Sequence, residues 1–318
     1  PRLLTIKADC LRIKTMIVRE RPNAIALLFA LRGSVVPEIL PHIAFVALFS
    51  VAVAGLSHYQ LIDLTSLTIM PVTLLGIVLS ILLGFRNNAA YDRWWEARKQ
   101  WGQMVNEIRS LARASGALLG EDTAARRALL MQVLAHAVTL KGQLRGETVN
   151  EELLAWVSAE QRDAALAKAN PADAFLAQTG VLLGEQYRQG ALDSMGLKIL
   201  DERLAALSGI QAASERIAST PLPFAYTLLV HRTAYVYCYL LPFALIGGMG
   251  WATPILAAAV AYTFFGIDRL SEHLETPFGR APNDLPLDAL CRIHEISVAD
   301  ALGEVAPDPL PVKNFQLQ

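Results

Sequence analysis

The sequence predicts an all-α membrane protein: four transmembrane helices plus a helical domain on the cytosolic side. Three observations carry this. Charge-free apolar stretches recur at 39–56, 64–85, 234–249 and 253–267, each near the length needed to cross a bilayer core. Between the second and third lies a block, 107–219, with apolar residues at three- and four-residue spacing but no stretch clean enough to span. The composition agrees. The 318 residues are 53% hydrophobic and 18% charged, with a mean hydropathy of +0.36. That is greasier than an ordinary soluble domain, yet not apolar throughout.

Residues 1–38 form a basic, mixed N-terminal segment. Its charges (Lys7, Asp9, Arg12, Lys14, Arg19) predict no cleavable signal peptide. Ala24–Leu31 is too short to span and reads as an amphipathic piece. Residues 39–106 hold the first span, Ile39–Leu56, and a second helix with a long polar extension. Residues 107–219 are the helical domain, with helices expected at Ser110–Leu119, Thr123–Leu140 and Leu197–Ser219 and turns at Gly142–Thr148 and Asn170–Pro171. Asn170 or Asp173 is placed to cap the helix after Pro171. Residues 220–270 hold spans three and four, the third starting near Tyr226 and containing Pro242. Residues 271–318 are polar and proline-rich, with one short helix near Leu287–Leu302. The loops 57–63 and 250–252 carry no Lys or Arg, whereas the leader and the 86–233 block carry many. The positive-inside rule then places both termini and the helical domain in the cytosol of a multi-pass inner-membrane protein.

The second span organises the rest. Leu64–Phe85 has no charge, and its 22 residues make roughly 33 Å of helix. Arg86, Asp92, Arg93, Glu96, Arg98 and Lys99 follow without a break to Trp101, so one continuous helix leaves the membrane. Ile77, Ile81 and Phe85 stack on one face at i, i+4, i+8, and Asn88 and Asp92 continue that face. Four spans are too few to enclose a permeation path. Oligomerisation around one helix from each subunit would solve this, with Ile77, Ile81 and Phe85 lining a narrow apolar constriction.

Catalysis has no visible constellation, and the chain is read as no enzyme, with no cofactor. There is no phosphate loop, HExxH or GxSxG. The cysteines Cys10, Cys238 and Cys291 lie far apart, and no metal-ligand spacing appears, His273 with Glu272 and Glu275 included. A net charge of −1 suggests no attraction to nucleic acid.

Three ordered motifs carry a resemblance. GFRNNAAYDRWWEARKQWG (Gly84–Gly102) looks like the signature ending the second membrane helix of bestrophins. TPLPFAYTLLVHR (Thr220–Arg232) resembles that family's entry into the third span. LETPFG (Leu274–Gly279) with NDLPLDALC (Asn283–Cys291) resembles its segment after the fourth. The likeness covers roughly 16–305. It implies a homopentameric channel with a central pore, passing small monovalent ions (Na⁺, K⁺ or Cl⁻) across a lipid bilayer. It implies a neck of three apolar rings, which fall on Ile77, Ile81 and Phe85, and a cytosolic constriction near Met195. Animal bestrophins are calcium-activated through an acidic run after PFG. Only Asn283 and Asp284 remain of it here, too few oxygens for a calcium cage. Animal members favour anions, but five copies of Asp92 below Phe85, beside Asn88, would favour cations. The expectation is thus a bestrophin-like channel with a slight cation preference. The alternatives are a chloride channel of the same fold or a transporter of small organic anions.

Overall fold

The structure, a computed structural model, describes residues 30, 33–62, 68–120 and 123–311. The expected amphipathic piece at 24–31 and Cys10 lie almost wholly outside the described residues. Regular structure among the described residues is helical, with no strand. The helices are α1 (Val36–His58), α2 (Met70–Leu118), α3 (Thr123–Arg145), α4 (Asn150–Leu153) and α5 (Ala159–Leu166). They continue with α6 (Pro171–Arg188), α7 (Ser194–Ser219), α8 (Phe224–Met249), a 3₁₀ turn (Gly250–Ala252), α9 (Thr253–Glu275) and α10 (Leu287–Leu302). The chain divides into two compact units. One holds α1, α2 as far as Trp94, α8 and α9; the other holds α2 from Trp95, α3 to α7 and α10.

Among the described residues three stretches are long and apolar enough to cross a membrane: Val36–His58, Met70–Leu118, which runs on past the first unit, and Phe224–Glu275. The last is folded into α8 and α9 by the 3₁₀ turn, where Gly250 adopts φ +49°, a left-handed conformation that glycine enters without a Cβ clash. α1 packs along α9, and α8 against both. Leu79 and Leu83 of α2 join Ile39, Val46, Val230, Ala234, Tyr237, Ala257, Ala261 and Phe265 in one core. Small residues at these contacts let helix backbones approach closely. Gly76 does so for α2: a Cβ there would sit 2.8 Å from the Tyr237 hydroxyl. Pro242 lies inside an unbroken α8.

Two sequence boundaries are corrected. α2 begins at Met70, not Leu64, because Pro71 occupies its first turn. Proline has no N–H and clashes with a preceding helical turn, so the helix cannot be extended far upstream of it. Residues 63–67 lie outside the described residues. At its other end α2 runs unbroken to Leu118, so Ser110–Leu119 is its last part and not a separate helix.

In the second unit α3 is the centre. It packs on α6, α7 and α10 and buries Leu129, Leu130, Val133, Leu134, Ala135, Ala137, Val138 and Leu140. A helix buried all round is a core helix, whereas its sequence reads as amphipathic because Gln132, His136, Thr139 and Lys141 are buried too. α3 continues through Gly142, and the turn falls at Gly146 with φ +67°. Asn170 is the cap of α6, its Oδ1 accepting from the Asp173 N–H at 3.3 Å.

Candidate functional site

α2 has two opposed faces within the apolar unit. Gly76, Leu79, Leu83, Arg86 and Ala90 are buried. Ile77, Ile81 and Phe85 are 53%, 53% and 63% exposed, and Asn88 and Asp92 are exposed beyond them. At about 100° per residue these five fall within an arc of about 80°. Leu74 continues this face beyond Ile77, and Val78 widens it on one side. Apolar exposure alone is ordinary for a membrane helix, and Leu48 and Ile255 show it on α1 and α9. What sets this line apart is its passage from large apolar side chains to an amide and a carboxylate without leaving the face.

The buried side of α2 is gripped by polar contacts. The Tyr226 hydroxyl donates to the Leu82 carbonyl at 2.8 Å. Arg86, only 2% exposed, pairs with Asp268 and lies 3.8 Å from Glu275 Oε2. The Ser271 hydroxyl donates to Asn87 Oδ1 at 3.3 Å. Arg93 Nε donates to the Glu275 carbonyl at 2.7 Å, and Glu275 Oε1 accepts the Leu222 N–H at 3.1 Å. Asp268, Ser271 and Glu275 lie on one stripe of α9. The two arginines nearest the Asn88–Asp92 face are therefore turned to acids and carbonyls behind it, as a helix rotation of about 100° per residue requires. Asp92 has no ion-pair partner among the described residues.

Local spacing in the sequence names no acidic partner for Arg86 or Arg93. The signal was there: Asp268 is an ionisable residue at the end of an otherwise apolar stretch, and such residues seldom go unpartnered. His273 turns to Glu38 at 3.2 Å, and the described residues contain no group of three or more His, Cys, Asp or Glu placed to hold a metal. Of the tryptophans, Trp94 and Trp101 are buried and Trp95 is largely exposed.

The second unit holds the other sequence-predicted position. Met195 lies in the first turn of α7, after Asp193, whose side chain caps the helix by accepting from the Gly196 N–H at 2.7 Å. It is 61% exposed. Asp284, a remnant of the acidic run, is turned inward. Its Oδ2 accepts from the Ala281 N–H at 2.7 Å and braces the loop before α10. Charges tie α10 and α4 to α3, and the loop before α10 to the turn after α3. Lys141 Nζ lies 3.0 Å from both Glu152 and Asp288, Arg145 lies 2.8 Å from Asp288, and Arg280 bridges Glu147 at 2.7 Å. Burial would raise the Asp288 carboxyl, but hydrogen bonds from Arg145 and Lys141 and their charges outweigh it and hold it below its ordinary value.

The family model for Bacterial/Fungal Bestrophin protein matches residues 16–300. This chain belongs to the bestrophin family. This bestrophin is 54% identical over 301 residues to a protein of Mesorhizobium japonicum named voltage-dependent anion channel-forming protein mll4386, covering 95% of one chain and 97% of the other. It is 38% identical over 304 residues to voltage-dependent anion channel-forming protein YneE of Escherichia coli K12, covering 95% and 100%. The crystal structure of a bacterial bestrophin homolog from Klebsiella pneumoniae superposes with a TM-score of 0.81 at 36% identity, covering 84% of this chain and 99% of that one. The helical architecture and its apolar spans are thus those of a family of membrane proteins.

Proposed function

We propose that this bestrophin is an oligomeric channel for small monovalent ions, five subunits placing the exposed face of α2 around a central pore. The observation that carries the reading is the single face from Ile77 through Ile81 and Phe85 to Asn88 and Asp92, exposed while the opposite face is buried and held. Three apolar rings form a neck that resists wetting. Met195, exposed at the start of α7, forms a second constriction. The loops poor in Lys and Arg face away from the cytosol, with both termini inside the cell.

Asp92 decides charge preference in this reading. Five carboxylates around one axis, with Arg86 and Arg93 engaged behind them, attract cations to the inner mouth. The names of the relatives from Mesorhizobium and Escherichia favour the second reading, anion conduction. Recording in planar bilayers under asymmetric NaCl separates the two. A cation channel reverses near the sodium potential. Asp92→Asn then shifts reversal toward chloride, more so at low salt, where the ring is less screened. Wild-type reversal near the chloride potential would refute the cation reading, and a chain that stays monomeric in native mass spectrometry would refute the channel.

A further inference from the structure

The clamp behind α2 opens onto a cavity. About 230 Å³ of space is lined by Glu38, His42, His231, Tyr235, Asp268 and Glu272, among others. Asp268 stands at the junction. Its Oδ1 holds buried Arg86, while its Oδ2 meets His231 Nδ1 at 2.8 Å. The His231 side chain is 50% exposed and lines the cavity, while its Nδ1 edge touches a carboxylate that serves the buried arginine.

We propose that Asp268 and His231 are positioning residues for the neck: they fix Arg86, and through it the neighbouring Phe85 to Asp92 face, and proton uptake by His231 loosens the hold. The inference rests on the reading of that face as the pore lining. With neutral His231, one arginine and one carboxylate balance, and the imidazole Nδ1–H donates to Oδ2. A second proton makes His231 a cation on the same carboxylate. Asp268 is then shared between two like charges, which weakens its attraction for Arg86 and adds repulsion between them. Glu275, already 3.8 Å away, takes a larger share of the guanidinium. Asp268 and Glu275 are two helical turns apart on α9, so Arg86 is drawn along the axis of α9. The residue joined to it by one peptide bond is Phe85.

The other groups around the cavity are already matched. Glu38 of α1 pairs with Arg269 and His273. Glu272 pairs with Arg269 at 2.6 Å. His42 of α1 meets the Tyr235 hydroxyl at 3.3 Å. Arg86 is the charged group facing the pair from α2. Asp268 is the carboxylate that touches His231.

The test uses a spin label on Asn88→Cys in the full-length protein in liposomes, with Cys10 replaced by Ser. Cys238 and Cys291 are buried and left in place. The label, one turn beyond Phe85, gains mobility between pH 8 and pH 6. In His231→Gln, which keeps a side-chain donor but cannot take a proton, that gain is lost. Asp268→Asn leaves the label mobile at both values. Single-channel open probability without the label rises over the same range, and the rise is lost in His231→Gln. A label response that persists in His231→Gln, or no response in the parent, overturns the inference even if the protein conducts normally. Absence of current in every variant overturns the pore reading instead, and the label still decides whether His231 positions this face.

Discussion

Two histidines in the second unit make a quantitative prediction about acid. His136 on α3 and His294 on α10 have no exposed surface. Burial pushes His136 from 6.5 down to about 4, against the Ala172 carbonyl and the Asp173 and Glu215 charges, which pull the other way. Burial likewise pushes His294 down to about 3, helped by Arg109 and by His136 itself. Both imidazoles are neutral in the fold. Their folded values lie below the unfolded one, so the stability they contribute is complete above pH 6.5 and is lost as pH falls from there toward 4 and 3. At pH 5 the unfolded chain is about 1.5 units past its midpoint at each site while the folded sites stay neutral. Each then costs about 2 kcal/mol, or about 4 kcal/mol together, relative to pH 8. For a domain of this size that is a fall of about 8–16 °C in melting temperature. His294→Leu tests the source. Neither ring nitrogen of His294 has a hydrogen-bond partner, so an apolar replacement strands nothing. It should melt near the wild type at pH 8 and recover about half the loss at pH 5. Thermal unfolding of the full chain in detergent, followed by circular dichroism at both pH values, measures this. A wild type equally stable at pH 5 and 8, or a variant as acid-sensitive as the wild type, would refute the reasoning.

Three further outcomes follow from the same geometry. Replacing Ile77, Ile81 and Phe85 together by Ala lowers the cost of wetting the neck and raises conductance in bilayers, with the oligomer intact by native mass spectrometry; unchanged currents would place these residues against lipid or a neighbouring helix. Met195→Ala raises conductance and Met195→Phe lowers it, since a flexible thioether fills a narrow ring without fixed shape; no effect from either would remove Met195 from the path. Gly279→Ala places a Cβ 2.5 Å from Asp284 Oδ2, the atom that holds the Ala281 N–H, and destabilises the second unit by about 1–3 kcal/mol, read as a lower melting temperature.

How much was legible in the sequence differs by link in the chain of causes. The apolar spans were, because a bilayer imposes length and composition directly. The stretches expected at Ala234–Met249, with a start near Tyr226, and at Thr253–Ile267 lie within the helices α8 and α9 at Phe224–Met249 and Thr253–Glu275. The α6 cap was legible as a choice between two residues, since Asn before Pro is a local rule. The two-faced character of α2 was legible from a period of 3.6. Pairings between distant residues were not. Arg86 and Asp268 are 182 positions apart and Arg145 and Asp288 are 143 apart, and no local pattern links them. Lys141 and His136 give α3 an amphipathic signature although both are buried, because a central helix buries whatever polar groups it carries.

The same separation bears on the pore-lining role proposed for α2. A helix that lines a path must expose one side to ions and still be held in register. Apolar packing along Leu79 and Leu83 fixes its distance from the core but resists sliding only weakly, because aliphatic contacts have little direction. Hydrogen bonds have direction. Those arriving from Tyr226 and Ser271, those leaving from Arg93 to the Glu275 carbonyl, and the Arg86–Asp268 pair all act on α2 between Leu82 and Arg93, the stretch whose other face carries Phe85, Asn88 and Asp92. A buried ion pair with desolvated partners adds little net stability. Its use here is to set where along the axis, and at what rotation, the exposed residues stand. Substituting Arg86 alone would strand Asp268 and Glu275 and cost folding as well as geometry, since breaking a buried pair is far more destabilising than replacing both partners.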